Sequence, residues 1–237
     1  MGDRSVAGAL AVPGELAGVL PSGLRRGATV RVTGPTSLVL LLLAGAMADS
    51  DRWSAVVGLA DLGMVAAAEL GVPLQRLALV PHPGPELAAV VGALIDGMSL
   101  VAATSRSAGV SEATARALSG RARSRGCVLL VGQGWPAADL EIGTAARRWT
   151  GLSEGRGRLR YCEFDVEVRG RGSASRPRRA TIRLPRAGVE SAEGRAHGDG
   201  TNAQRPATVD GSPSASSPWQ VGPGGLRGLP DGAQRAG

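Results

Sequence analysis

Residues 38–48 read LVLLLLAGAMA, eleven consecutive apolar positions with no charge among them. A helix that crosses a membrane needs about 20 such residues. A helix lying on a protein surface would carry a polar stripe. This run is therefore a core helix, and the chain must fold in layers around it. Aromatic residues make up only 3% of the sequence, so Val, Leu and Ala fill the interior. Aliphatic packing of this kind suits a parallel sheet covered on both faces.

The rest of the sequence supplies such a sheet. GATVRVTG (27–34) alternates and ends in Gly34-Pro35, which predicts a strand and a turn into the core helix 36–48. Strands are expected at 53–60, 74–81, 98–105 and 127–134. Helices are expected at 64–71, 84–97 and 111–126, the last with Ser111 as its N-cap. Strand and helix alternate with short connections, the pattern of a mostly parallel α/β sheet flanked by helices. Later the rhythm changes. Residues 158–172 and 178–186 alternate at period two and predict a C-terminal antiparallel hairpin. Gly, Ser, Pro and Ala dominate beyond residue 187, and 188–237 reads as a disordered tail, its lone Trp219 a stray apolar residue. Residues 1–17 are expected to be a flexible N-terminus without the basic and apolar regions of a signal peptide, and 18–187 a single core domain.

The formal net charge is +7, and every basic residue is arginine; the chain has no lysine. Lysine chemistry of any kind is excluded, Schiff-base and phosphate-binding lysines alike. The excess charge is regional, concentrated between Arg147 and Arg186. Cys127 and Cys162 lie far apart in apolar runs without a CxxC, which predicts two buried thiols and no zinc. His82 sits in a PHPG turn and His197 in the tail, so neither joins a triad or a metal site.

The turn between the first strand and the core helix is where a P-loop would cradle phosphate. A Walker A loop is G-x-x-x-x-G-K-[ST], whose backbone N–H groups surround the phosphates while lysine neutralises them and Ser/Thr holds magnesium. Here Gly34, Pro35, Thr36 and Ser37 lead straight into Leu38. The second glycine and the lysine are missing and the loop is about four residues short. Arg25, Arg26 and Arg31 precede the turn rather than lie within it. ATP and magnesium are therefore not expected as cofactors, and no metal is expected.

The stretch LPSGLRRGATVRVTGPTS, with the ordered segments WSAVVGLADLG, LQRLALV, SLVAATS and CVLLVGQ, resembles the RecA-type recombinase core. The resemblance covers roughly residues 18–186 and implies a RecA-like fold. It places Thr104 where that family's Walker B strand ends in aspartate, Leu59 or a neighbour where its catalytic glutamate falls, and Gln133 at its sensing glutamine. Asp61 is the nearest carboxylate to the glutamate position, and a capping or surface role fits it better. Together with LPSGL (20–24), Trp135-Pro136 and the arginine-rich pair of strands within 156–186, these departures resemble the ImuA-prime branch of ImuA-type proteins. That resemblance implies a non-catalytic adaptor in SOS-linked, damage-induced mutagenic translesion synthesis. Its implied partner is a Y-family polymerase homologue (ImuB-like), and through it a sliding clamp and an error-prone replicative-type polymerase. It implies a cytoplasmic protein, nucleoid-associated during DNA damage, and no membrane. Two other roles stay open: a divergent RecA-like DNA-binding ATPase, and an SOS-type regulator of cell division.

Recombinases use the segment after the glutamine strand to contact single-stranded DNA. Here that segment holds Trp135, Arg147, Arg148, Trp149, Arg156, Arg158 and Arg160. Aromatic faces with arginine suit bases and phosphates; a packed Trp pair with solvated arginines suits the same residues equally well. The helix 111–126 adds Arg116, Arg121, Arg123 and Arg125, a solvated face or a dock for an acidic partner, for which Arg116 and Arg123 are the candidate contacts.

Overall fold

The computed structural model describes residues 8–48, 51–104, 110–153, 156–170 and 176–184. The tail, with Trp219 and His197, lies outside the described residues.

The core strand β3 (Thr29–Thr33) and helix α2 (Thr36–Ala48) form where the sequence predicts them. They are followed by β4 (Ser54–Val57), α3 (Met64–Glu69), β5 (Leu77–Val80), α4 (Leu87–Gly97), β6 (Leu100–Ala103), α5 (Glu112–Arg125) and β7 (Val128–Val131). The predicted strand at 74 and helix at 84 each begin with a 3₁₀ turn, Leu74–Arg76 and Gly84–Glu86. Three long strands close the chain: β8 (Leu140–Ser153), β9 (Arg156–Gly170) and β10 (Arg178–Leu184).

All eight strands from β3 to β10 join one sheet in the order β10-β9-β8-β3-β7-β6-β4-β5. Neighbours from β8 through β5 run parallel. β9 is antiparallel to β8, and β10 to β9. The expected α/β architecture is present, and its antiparallel part is larger than expected. β8 was not anticipated, and it makes the C-terminal hairpin a three-stranded meander.

Each face of the sheet has its own core. One holds α2, Leu100, Leu130 and Phe164; the other holds Val91, Ile95, Leu118, Leu129 and Trp135. Leu129 and Leu130 go to opposite faces, as alternate strand residues must.

The N-terminus differs from expectation. β1 (Ala9–Leu10) pairs antiparallel with β2 (Leu24–Arg25), and α1 (Gly14–Ala17) lies between them. Leu10, Leu16, Val19 and Leu20 are buried in the same core as α2. Physically this is the cover that an all-apolar helix requires on the side away from the sheet. Contact is close: a Cβ on Gly45 of α2 would lie 2.5 Å from Pro13 Cδ and 2.8 Å from the Val12 carbonyl carbon. Residues 8–17 belong to the folded domain.

No helix among the described residues is long and apolar enough to cross a membrane.

Candidate functional site

The β3–α2 turn contains two residues before the helix. Gly34 has φ +132°, and the Leu38 N–H donates to the Pro35 carbonyl at 2.9 Å, so helical bonding begins at once. The turn is also covered. A Cβ on Gly34 would lie 2.6 Å from Thr144 Oγ1 and 2.9 Å from its Cγ2, because β8 leaves its pairing with β3 at this point. Arg25 and Arg26 stand before β3, at its far end from the turn. Arg31 is engaged elsewhere: it pairs with Glu141 and donates to the Trp135 carbonyl at 2.6 Å.

The other RecA-type positions lie at the same end of the sheet. Thr104 follows β6, is 2% exposed, and its N–H donates to the Val57 carbonyl at 3.0 Å. Gly58 ends β4 with φ +80°, and a Cβ there would collide with the Thr104 carbonyl oxygen. The two strand ends are thus closed onto each other. Leu59 is a buried core residue, whereas Asp61 is exposed in the turn before α3. Gln133 is exposed in the turn after β7. These residues do not fit a magnesium-triphosphate cradle, since the turn is short, Thr144 occupies the space above Gly34, and buried Thr104 stands where the resemblance to recombinases leads one to expect a carboxylate.

The predicted contact residues divide into three groups. Trp135 is 7% exposed and packs in the core beside α4 and α5, so it is not a surface contact. A left-handed turn at Gly134 (φ +94°) precedes it, and the chain then returns to the start of β3, where Asp139 accepts the Thr29 N–H at 3.0 Å. Nor do the two tryptophans form a pair. Trp149 lies on β8 and is 43% exposed.

The α5 arginines form the second group. Ser111 caps the helix by accepting the Thr114 N–H at 3.1 Å, and Gly126 closes it in the left-handed conformation. Arg121 and Arg125 face α4 and hold Asp96; Arg121 Nε donates at 2.9 Å and Arg125 Nε at 3.1 Å. The hydrogen bond from Arg121, strengthened by both positive charges, keeps the Asp96 carboxyl below its ordinary range. Arg121 and Arg125 stay exposed, so this part of the helix is the solvated face expected and also ties α5 to α4. Arg116 pairs with Glu112 at 3.0 Å and Arg123 with Asp139 at 3.5 Å, beside a cavity of about 160 Å³ lined also by Thr29 and Gly120.

The third group is the β8–β9 ribbon. β3 covers only Leu140–Gly143 of β8, and β10 covers only Cys162–Val168 of β9. The two strands continue past both neighbours. On one face the Arg147 guanidinium lies 4.6 Å from the centre of the Trp149 ring, and its Nε lies 3.4 Å from Cys162 Sγ. Much of the opposite face is charge-paired. Arg148 meets Asp165 at 3.4 Å, Glu167 accepts from Arg169 and Arg179, and Arg183 stacks on Tyr161 at 3.3 Å. The bond from Arg169, with help from Arg179, holds the Glu167 carboxyl below its usual range. Arg148, Arg169 and Arg179 are thus paired with carboxylates, whereas Arg147, Arg178 and Arg183 meet none within 4.0 Å among the described residues. Arg156, Arg158 and Arg160 run along β9 near the tip, and their side chains lie outside the described residues.

Both cysteines are free and buried, as the sequence predicts. Desolvation pushes the Cys127 thiol up to about 12. Sequence reasoning missed Asp96 and Asp139, which organise the arginines, and Thr144, which closes the turn. Nothing in their local sequence distinguishes them.

The uncharacterized protein Rv3395c of Mycobacterium tuberculosis is 37% identical over 140 residues, which span 59% of this chain and 68% of that protein. A family model, the MT3502 N-terminal domain, matches residues 18–137, from the end of the N-terminal cover to the loop before β8. The chain belongs to the MT3502 N-terminal domain family.

Proposed function

We propose that this protein is a RecA-like accessory protein of the ImuA-prime type, which acts through protein contacts and not through nucleotide turnover. Its setting is damage-induced mutagenic translesion synthesis. Its direct partner is a Y-family polymerase homologue, which connects it to the sliding clamp and an error-prone replicative-type polymerase. The observation that carries this reading is the β3–α2 turn: two residues long, covered by Thr144, in a chain without lysine. A RecA-type order of elements surrounds it, so the scaffold is kept while the phosphate cradle is replaced by packing. A scaffold that cannot surround phosphates retains only its surfaces as a means of action.

The test has two parts. The tagged full chain, recovered from DNA-damaged cells, is expected to bring down a Y-family polymerase homologue. The purified chain is expected to leave fluorescent ATP unbound and to hydrolyse none. Saturable ATP binding with turnover lost in Asp61→Asn would overturn the reading in favour of a divergent ATPase. Recovery of a tubulin-like division protein in place of the polymerase homologue would move the role to division control.

A further inference from the structure

We infer that the open edge of β8 at residues 146–150 is a peptide-docking edge, which takes an extended, acidic segment of a partner protein as an added strand. β8 is paired on one side with β9 throughout. On its other side β3 stops at Thr33, opposite Gly143, and among the described residues no strand continues that pairing. An unpaired strand edge is a template for another chain, and proteins ordinarily blunt or cover one. The two outer edges of this sheet are blunted. β5 has only four residues, and β10 begins after Pro177 and carries Arg178, Arg179 and Arg183. The β8 edge instead has defined limits. Register shifts against β9 fall between Thr144 and Ala146 and between Thr150 and Leu152, and Gly151 takes φ +118° at the second. Bulges re-aim side chains and interrupt pairing. They leave a regular window of five residues, Ala146 to Thr150, about 17 Å long at ordinary strand rise.

The side chains in the window specify the occupant. Arg147 and Trp149 share one face, and Arg148 lies on the other. Arg147 is exposed and meets no carboxylate within 4.0 Å among the described residues; its neighbours are the Trp149 ring and Cys162 Sγ. Trp149 is half-exposed with one face already beneath that guanidinium. A strand laid here presents residues directly opposite these three, so it places an acidic side chain against the unpaired Arg147 and an apolar one against Trp149, while an acidic one opposite Arg148 shares that arginine with Asp165. A second copy of this chain fits badly. Antiparallel alignment of two such windows about Arg148 sets that arginine against its own mate, a shift one way sets Arg147 against Arg148, and a shift the other way leaves Trp149 and Thr150, not carboxylates, opposite the two arginines. Like charges directly opposite are destabilising. Single-stranded nucleic acid makes poorer use of the site, since its phosphates cannot satisfy alternating backbone N–H and C=O groups. Strand addition draws affinity from those groups and specificity from the alternate side chains.

This inference rests on the protein-contact reading above and gives it a location. The probe is the labelled, end-capped peptide Thr-Val-Glu-Glu-Val-Thr-Val, whose Val-Glu-Glu-Val centre meets the window alike in either direction. Fluorescence anisotropy with the full chain should show saturable binding. Arg147→Glu and Trp149→Ala, both at exposed positions, should each weaken it by about tenfold or more, the scale of a charge-assisted contact. The same peptide methylated on alternate backbone nitrogens cannot pair as a strand and should not bind. Equal binding of the methylated peptide, displacement by a twelve-residue oligo-dT, or absence of binding would each overturn the proposal. Recovery of the polymerase homologue by Arg147→Glu as well as by the parent chain would overturn this edge as the contact and leave the adaptor reading standing. Peptide binding without recovery of that homologue would do the reverse.

Discussion

The N-terminal cover of α2 can be tested through a single methyl group. Gly45 lies inside a thirteen-residue helix, where replacing glycine with alanine ordinarily stabilises by about 1 kcal/mol. In this helix the added Cβ meets Pro13 Cδ at 2.5 Å, Pro13 N at 2.7 Å and the Val12 carbonyl carbon at 2.8 Å. Two of these are backbone atoms, so no flexible side chain can swing away and the segment 12–13 must shift. Overpacking of a close contact costs about 1–3 kcal/mol. The clash outweighs the propensity, and Gly45→Ala should destabilise the full chain by about 1 kcal/mol, a fall in Tm of about 2–4 °C. In a chain that begins at residue 18 the clash is gone and propensity alone acts, so the same substitution should raise stability. The truncation itself removes buried Leu10 and Leu16, worth about 1.5–3 kcal/mol each. Urea titration followed by circular dichroism measures all four chains. Stabilisation of the full chain by Gly45→Ala, or an unchanged Tm on truncation, would refute the claim that residues 8–17 cover α2.

The tie between α4 and α5 should weaken in acid. The Asp96 carboxyl is held below its ordinary range in the folded state, so its stabilisation is present above the unfolded value of about 3.9 and is lost as pH falls through the folded one. Asp96→Asn should therefore lower Tm at pH 7, with the difference from the parent shrinking at pH 3. Cys127, pushed up to about 12, should resist iodoacetamide at pH 8 in the native protein and react once urea unfolds it. Its raised value also means that folding stability falls as pH rises from about 9 toward 12, a slope that Cys127→Ala should remove. Phe164→Ala, which empties a fully buried site opposite Arg147 in the β8–β9 register, should cost about 3–5 kcal/mol in denaturant titration.

The parallel half of the fold was legible because its signals are local. Helix α2 spans the residues its apolar run predicts, and α5 begins after Ser111 and ends at Gly126 because the cap and the left-handed stop are written in neighbouring residues. β8 was illegible for a physical reason. Its alternation, clear in Leu140 and Ile142, is broken by an extra residue between Thr144 and Ala146, which reverses the face that the following side chains take. The N-terminal cover was missed because single apolar residues among Gly, Pro and Ala carry no period. Only the unmet burial of α2 required them. At the candidate site the shortness of the β3–α2 turn could be read directly from the residues between Gly34 and Leu38. The fates of the two tryptophans could not. Trp135 stands in GQGWPA and Trp149 in ARRWTG, neither in a run whose period assigns a face, and tertiary position buries one and exposes the other.

One short strand connects the closed turn with the open edge. β3 has five residues and ends at Thr33, while β8, parallel beside it, has fourteen. Their four-residue pairing ends at Gly143, and the close approach there is fitted by glycines: a Cβ on Gly143 would lie 2.7 Å from Thr33 Oγ1. The next residue, Thr144, therefore falls over Gly34 and occupies the space a phosphate loop would need. Every β8 residue after it has no β3 partner. A longer loop after β3 would both push Thr144 aside and bring chain alongside the window at 146–150. The feature that brings Thr144 over the β3–α2 turn is thus the same one that uncovers the strand edge, so insertion of residues between Gly34 and Thr36 should alter peptide binding at β8 as well as the turn itself.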